Sequence, residues 1–420
     1  MTVPPTPDPA PVPARPGRQR AVLLLSCLIL FVDGYDLFSL GTVGPSLLHY
    51  KPWGADHATL GMLGSVTALG MPAGSMLAGW AADRWGRRVP MAAAVAGISL
   101  AMLAAAAAPG LGAFAAARFA TGVGIGALAP LVGAFVTDGA PPRRRTLHLS
   151  IAMGSLGVGG IASSLLGRLL LPEAHFQTLF WVGVIPIVTV PLIWRLVPAA
   201  PPGRHHADAG GGRRIARLFT PADRRATLVF WAAAFMSMAL VFSTTAWLPT
   251  VMMRSGYDLG SALEFSIAFT AGATIGSVAL SPLADRGHLK KITLGCFALA
   301  AVALFVLSTP QPRPLLLAVS ALAGLGSLGC QNMVIACMTA WYPARLRGTG
   351  LGFGLGVGRL GAIAGPGYLA AVTSLAASSR AGFFAFMVPA VLGAAVVALL
   401  PRQAPEPEDA PAAEPSAVPA

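Results

Sequence analysis

Apolar runs long enough to cross a bilayer follow one another through almost the whole chain, and no other feature limits its fold as much. Twelve can be marked off between charged or Pro-rich breaks, at residues 21–48, 58–82, 89–108, 111–136, 146–171, 176–197, 226–252, 261–284, 290–308, 313–341, 347–374 and 381–401. A hydrocarbon core takes roughly 20 helical residues, and backbone in lipid must satisfy its own hydrogen bonds. The chain therefore reads as an all-α integral membrane protein. Hydrophobic residues make up 55% and charged residues 11%, and no ordinary soluble domain of this size has that balance.

The basic residues fix an orientation. The formal charge is +13, but the cations sit in short clusters between spans, which fits membrane topology better than nucleic acid. With both termini cytoplasmic, 22 of the 29 Lys and Arg fall inside, 5 outside and 2, Arg118 and Arg359, within spans. That bias predicts cytoplasmic termini. Residues 1–20 are Pro-rich with Arg15, Arg18 and Arg20, and read as a disordered tail, as do 402–420. The first apolar run is too long, and too acidic, for a cleaved signal peptide. Scarce lysine beside abundant Arg, Ala, Gly and Pro suggests GC-rich bacterial coding and an inner (plasma) membrane. Cys27, Cys296, Cys330 and Cys337 lie in apolar runs without a paired spacing and read as small core residues.

The chain repeats itself. Ala82-Asp83-Arg84 recurs as Ala284-Asp285-Arg286, and Pro141-Pro142-Arg143-Arg144-Arg145 as Pro343-Ala344-Arg345-Leu346-Arg347, both after 202 residues. A parallel repeat of six helices follows, residues 21–197 and 226–401, joined by a polar linker at 198–225.

The first span carries two acids three residues apart, Asp33-Gly34-Tyr35-Asp36, on one helical face. A charge in mid-bilayer costs a few kcal/mol or more, so the pair reads as a proton or substrate site, or else as a structural pair neutralised by a neighbouring helix. Counted along their helices, Asp33, Arg118 and Arg359 lie ~18–20 Å from the cytoplasmic side, near one level. Arginine offers a carboxylate a planar fork. Desolvation favours a neutral carboxyl and a nearby arginine favours its anion. An anionic substrate that competes for the arginine would therefore release the carboxylate to bind a proton. A permanent Arg118–Asp bridge between the first and fourth spans is the competing reading.

With these residues in view, the chain resembles the major facilitator superfamily over essentially its whole length. Gly79-Trp80-Ala81-Ala82-Asp83-Arg84-Trp85-Gly86-Arg87-Arg88 is similar to the superfamily's loop signature, with a weaker copy at Asp285–Lys291. Within the superfamily it looks most like the aromatic acid/proton symporters. Four segments carry that likeness: Asp33–Asp36; Arg118 with Gly122, Gly124 and Gly126; Gln331-Asn332; and Arg345 through Arg359 to Pro366. Where relatives commonly end the fourth span with Glu, this chain has Asp138, and the second loop copy lacks the Gly-Arg-Arg ending.

The resemblance implies proton-coupled uptake of a small aromatic carboxylate by alternating access, in a monomer without cofactor or metal. Asp33 and Asp36 are the expected proton groups. Arg118, Arg359, Gln331, Asn332 and Tyr35 are expected at the substrate. Asp83, Arg84, Gly86, Arg87, Arg88, Asp138, Asp285, Arg286 and Arg347 are expected to govern conformational change. Interhelical hydrogen bonding is the plain alternative for Gln331-Asn332, and packing for Tyr35. The alternating glycines from Gly348 to Gly358 follow no strand and signal close helix packing rather than nucleotide binding. The chain lacks the phosphate-binding and hydrolase motifs that would argue for a pump or an enzyme. An exporter or antiporter of drugs or another organic anion is the alternative, and a non-transporting sensor a more distant one.

Overall fold

The computed structural model describes residues 16–141, 144–173, 175–198, 218–220, 223–280, 288–342, 344–376, 378 and 380–401. Its helices are α1 (Pro16–His49), α2 (His57–Trp85), α3 (Arg88–Ala106), α4 (Leu111–Gly139), α5 (Arg145–Leu170), α6 (Gln177–Val182), α7 (Val190–Leu196), α8 (Arg224–Arg254), α9 (Leu259–Ala279), α10 (Leu289–Leu307), α11 (Arg313–Trp341), α12 (Ala344–Leu375) and α13 (Ala381–Ala398). They supply 12 segments long and apolar enough to span a membrane, and no strand occurs among the described residues.

Two expectations need correction. The sixth span is not one helix: α6 and α7 are separated by a 3-10 turn at Ile185–Thr189. Pro186 and Pro191 bring no N–H to the ladder and crowd the preceding turn. The first helix also starts at Pro16, taking in residues given to the disordered tail, because proline is well suited to a first helical position. The eighth span ends at Ala279, short of 284, and 281–287 lie outside the described residues. So does most of the 198–225 linker.

Packing repeats with the sequence. In the N-terminal half α2 lies on α4 and α1 on α5; in the C-terminal half α9 lies on α11 and α8 on α12. The start of the third span is tied to the end of the sixth in the same way in each half. Arg88 Nε donates to the Val197 carbonyl at 2.6 Å, and Lys290, 202 residues on, donates Nζ to the carbonyls of Ala398 (2.9 Å) and Leu400 (2.5 Å). Cations at a helix C-terminus satisfy its open carbonyls. Lys290 thus does the work of the arginine that the second loop copy lacks.

The halves meet along α1–α8, α2–α12 and α5–α9. Arg84, Arg87, Arg88, Lys290 and Lys291 mark one end of the bundle, called the basic end below. At the opposite end α2 and α9 start on aspartate caps. Asp56 accepts from Thr59 N and Oγ1, each at 2.7 Å, and Asp258 from Ser261 N at 3.1 Å and Oγ at 2.6 Å. These bonds hold both carboxyls below the usual aspartate range.

Candidate functional site

Arg118 is completely buried inside the N-terminal half. Glycines bring it there: a Cβ on Gly122 would lie 1.9 Å from the Thr67 carbonyl oxygen, so α4 reaches α2 only without one. The guanidinium donates through Nε to Thr67 Oγ1 at 3.3 Å. It also donates through one Nη to Ser39 Oγ and through the other to the Asp36 backbone oxygen, both at 3.4 Å. The Phe180 ring centroid is 5.9 Å from its Cζ. Three other spans of this half, α1, α2 and α6, thus surround the one cation carried by α4.

Asp36 sits beside it and Asp33 lies about one turn away on α1, and neither carboxylate is bonded to it. Asp33 and Asp36 are buried, and both carboxylate oxygens of Asp36 and Oδ1 of Asp33 have no hydrogen-bond partner among the described residues. Arg118 is held by the backbone of Asp36 and not by its carboxylate. The permanent Arg118–Asp bridge is therefore not the arrangement found. Asp36 Oδ1 lies beside Gly183, where a Cβ would be 3.3 Å away, at the break in the sixth span. The Tyr35 hydroxyl donates to the Leu179 carbonyl at 2.8 Å, which fastens α1 to α6.

Arg359 is elsewhere. It reaches across the halves and donates through Nη1 to Ser75 Oγ of α2. Thr67 and Ser75 are eight residues apart on that helix, about 12 Å, so the two arginines do not share the level that residue counting gave them. Side chains lean toward a helix N-terminus. The N-terminus of α12 is at the basic end and that of α4 at the opposite end, so the two side chains diverge. Gln331 and Asn332 are half-buried on α11.

Between the halves lies a small cavity of about 60 Å³, well below the ~300–1,000 Å³ of small-molecule sites. Leu37 and Phe38 of α1, Gly154 and Gly157 of α5, Phe242 and Thr245 of α8, and Thr270 and Thr274 of α9 form its walls. Tyr35 and Arg118 are not among its lining residues.

Ion pairs stand at both ends. At the opposite end Glu264 of α9 forms an ion pair with Arg168 of α5 at 2.7 Å, across the halves, and accepts from Arg313 of α11 in its own half. At the basic end Arg87 pairs with Asp138, joining the start of α3 to the end of α4. Asp138 thus occupies the place expected of a glutamate. Gly86 takes φ 72°, the positive value that lets α2 stop and turn there. Arg84 is exposed, and the Arg88 guanidinium lies 5.6 Å from the Trp194 ring. Asp285 and Arg286 lie outside the described residues, as do the side chains of Asp83 and Arg347.

Sequence reading missed Thr67, Ser39 and Phe180 around Arg118, whose roles arise only when distant helices meet. It also missed Glu264, an acid within a predicted span that the rule used for Asp33 would have found. Among the described residues no group of three or more His, Cys, Asp or Glu is placed to hold a metal.

Two six-helix halves around a midplane cavity, with ionisable groups buried in one half, define a polytopic membrane protein of the parallel-repeat transporter type. A sequence profile described as Major Facilitator Superfamily matches residues 26–366 and, in a second match, 265–420. The chain belongs to that superfamily. It is 30% identical to a benzoate transport protein of Acinetobacter baylyi, over 90% of this chain and 89% of that one. It is 31% identical to a gentisate transporter of Corynebacterium glutamicum, over 92% and 88%. A 4-hydroxybenzoate transporter of Pseudomonas aeruginosa is 29% identical over 91% and 92%. Among solved structures, a D-xylose–proton symporter superposes with a TM-score of 0.77 at 16% identity, covering 90% of this chain and 97% of the other.

Proposed function

We propose that this chain is a secondary transporter that takes up a small aromatic carboxylate together with protons, by alternating access. The observation that carries the reading is the buried Asp36 carboxylate, with no fixed donor, beside a guanidinium held by the backbone. A carboxyl group in that position can gain or lose a proton without breaking a protein hydrogen bond. The aromatic-acid relatives support the substrate class.

In this reading Asp36 and Asp33 carry the proton, and Arg118 sets the electrostatic field in which they titrate. Arg359, shared between the halves through Ser75, is the cation that a substrate carboxylate can capture. Capture would free α12 from α2 and link binding to the movement of one half on the other. Gln331 and Asn332 are further substrate contacts. The basic end, with both termini, faces the cytoplasm, as the positive-inside bias requires. The protein works as a monomer in the bacterial inner membrane, needs no cofactor beyond the proton gradient, and is not an enzyme.

Uptake of labelled benzoate-type acids into proteoliposomes under an imposed proton gradient tests this. Accumulation that collapses with a protonophore is expected. Accumulation only against an opposite proton gradient would make the protein an exchanger that exports, and no movement of any organic acid would reject transport of this class.

A further inference from the structure

At the end opposite the basic one, the halves close along α2, α8 and α12. A Cβ on Gly61 would lie 2.4 Å from Ala370 Cβ and 2.9 Å from the Pro366 carbonyl oxygen, so α2 and α12 touch there through a glycine. His57, one turn earlier on the same face of α2, stands at the rim of that contact. It lines a cavity of about 380 Å³ between the halves, with Asp56 and Ala58 on its own side and Arg254 and residues 373–376 on the other. Asp56, Ala58, Ser374 and Leu375 are exposed, so the cavity opens to solvent.

The His57 ring is half-buried, and its Nδ1 is buried without a hydrogen-bond partner among the described residues. The Trp247 ring of α8 packs beside it, 5.8 Å between centroids. Two charged groups act on the imidazole, Arg254 of α8 and Asp56 of its own helix, and α12 brings no charged side chain to the cavity. Asp56 is exposed and its carboxylate already accepts from Thr59, so water weakens its pull on the ring. Arg254 is fixed in place, because it donates through Nη1 to the Thr373 carbonyl at 3.0 Å.

A neutral imidazole fits this place. Protonation makes both ring nitrogens donors. The buried Nδ1 then carries a hydrogen with nothing to receive it, and a second cation faces Arg254 across the join. Both costs are relieved when the halves part and water enters. The closed join is also poorly satisfied: Trp247 Nε1 and Thr250 Oγ1, on the same helical face as Arg254, are buried without partners among the described residues.

We propose that His57 is a proton-sensitive latch at this end of the transporter: neutral, it lets the halves close, and protonated, it drives them apart. The inference rests on the alternating-access reading and orientation above. With this end facing outward, acid outside the cell opens the protein toward the side that supplies protons and substrate.

The test is the distance between spin labels at positions 173 and 311, where Glu173 and Gln311 are exposed at this end of the two halves. Pulsed EPR at about pH 7.5 and about pH 5.5 brackets the ordinary histidine pKa of ~6.5, with the four native cysteines replaced by alanine. With His57 present, a longer-distance population should grow roughly fivefold in acid, the scale of one like-charge contact near a protein surface. His57→Asn and His57→Gln are polar but bind no proton, and should hold the two populations nearly constant. Asp33 and Asp36 remain in every variant, so a shift that persists in both substitutions belongs to other acids and overturns the inference. Absence of any shift with His57 present overturns it too, while alternating access stands if saturating benzoate still changes the distance. A single distance in every variant, with benzoate as well, overturns both.

Discussion

Arg118 donates to the backbone oxygen of Asp36 at 3.4 Å, while both carboxylate oxygens of the same aspartate lack a hydrogen-bond partner. The cation is thus anchored to α1 whatever the protonation state of the acid. The arrangement separates two jobs that a simple ion pair would merge: Arg118 keeps α4 against α1, and the carboxyl is left to exchange a proton.

Asp36→Asn should therefore leave the protein folded and membrane-inserted, because the backbone contact survives. It should abolish proton-driven accumulation while substrate exchange between equal pools continues, since an amide carries no titratable proton. Counterflow and gradient-driven uptake measured on one preparation separate the two. If Asp36→Asn still concentrates substrate and Asp33→Asn does not, the proton belongs to Asp33.

Arg359 is bonded across the halves to Ser75, and a substrate carboxylate would have to replace that contact. Arg359→Lys should lower affinity for the acid by roughly ten- to hundredfold, the equivalent of about 1.5–3 kcal/mol for a charge-assisted bond, because a point charge does not match the fork. Uptake of a benzoate-type acid against its uncharged amide checks it. Equal transport of acid and amide by wild type would remove any role for a carboxylate partner.

Glu264 holds Arg168 across the halves and Arg313 within its own half. When the opposite end opens, Arg313 keeps Glu264 paired and only Arg168 is released to water. Glu264→Gln should favour the open state at that end, by a few-fold at most, because a partly exposed pair is worth about 1 kcal/mol or less. Labelling of a cysteine introduced at Thr250, a buried position near the outer end of α8, by a membrane-impermeant thiol reagent should speed up accordingly. The wild-type rate should rise with salt, which screens the pair. Unchanged labelling in Glu264→Gln would show that the pair does not control closure.

Asp56 caps α2 with both carboxylate contacts on Thr59, and its pKa is depressed. A depressed acid stabilises the folded state at pH values above its unfolded pKa, and that contribution is lost as pH falls through the folded value. Asp56→Ala should lower thermal stability at pH 7 by the equivalent of about 0.5–2 kcal/mol, and the gap between variant and wild type should close in strong acid. A gap that persists there would assign the cap's effect to something other than the charged carboxylate.

Run lengths and loop charges in the sequence were sufficient for twelve spans, two halves and the repeat. A bilayer imposes length and backbone self-satisfaction on each segment separately, so those features are written locally. Asp33, Asp36, Arg118 and Arg359 were legible for the same reason: a charge in an apolar run is conspicuous wherever its neighbours lie. The break in the sixth span was present as Pro186 and Pro191, but an apolar count does not register a missing N–H. Partnership was decided by the tertiary structure alone. Residue counting put Arg118 and Arg359 at one depth. The opposite directions of α4 and α12, with side chains that lean toward each N-terminus, set them about 12 Å apart along α2. Which carboxylate stays unpaired and which acid joins the halves depend on helix rotation and contact, and these are fixed only when all the spans pack together.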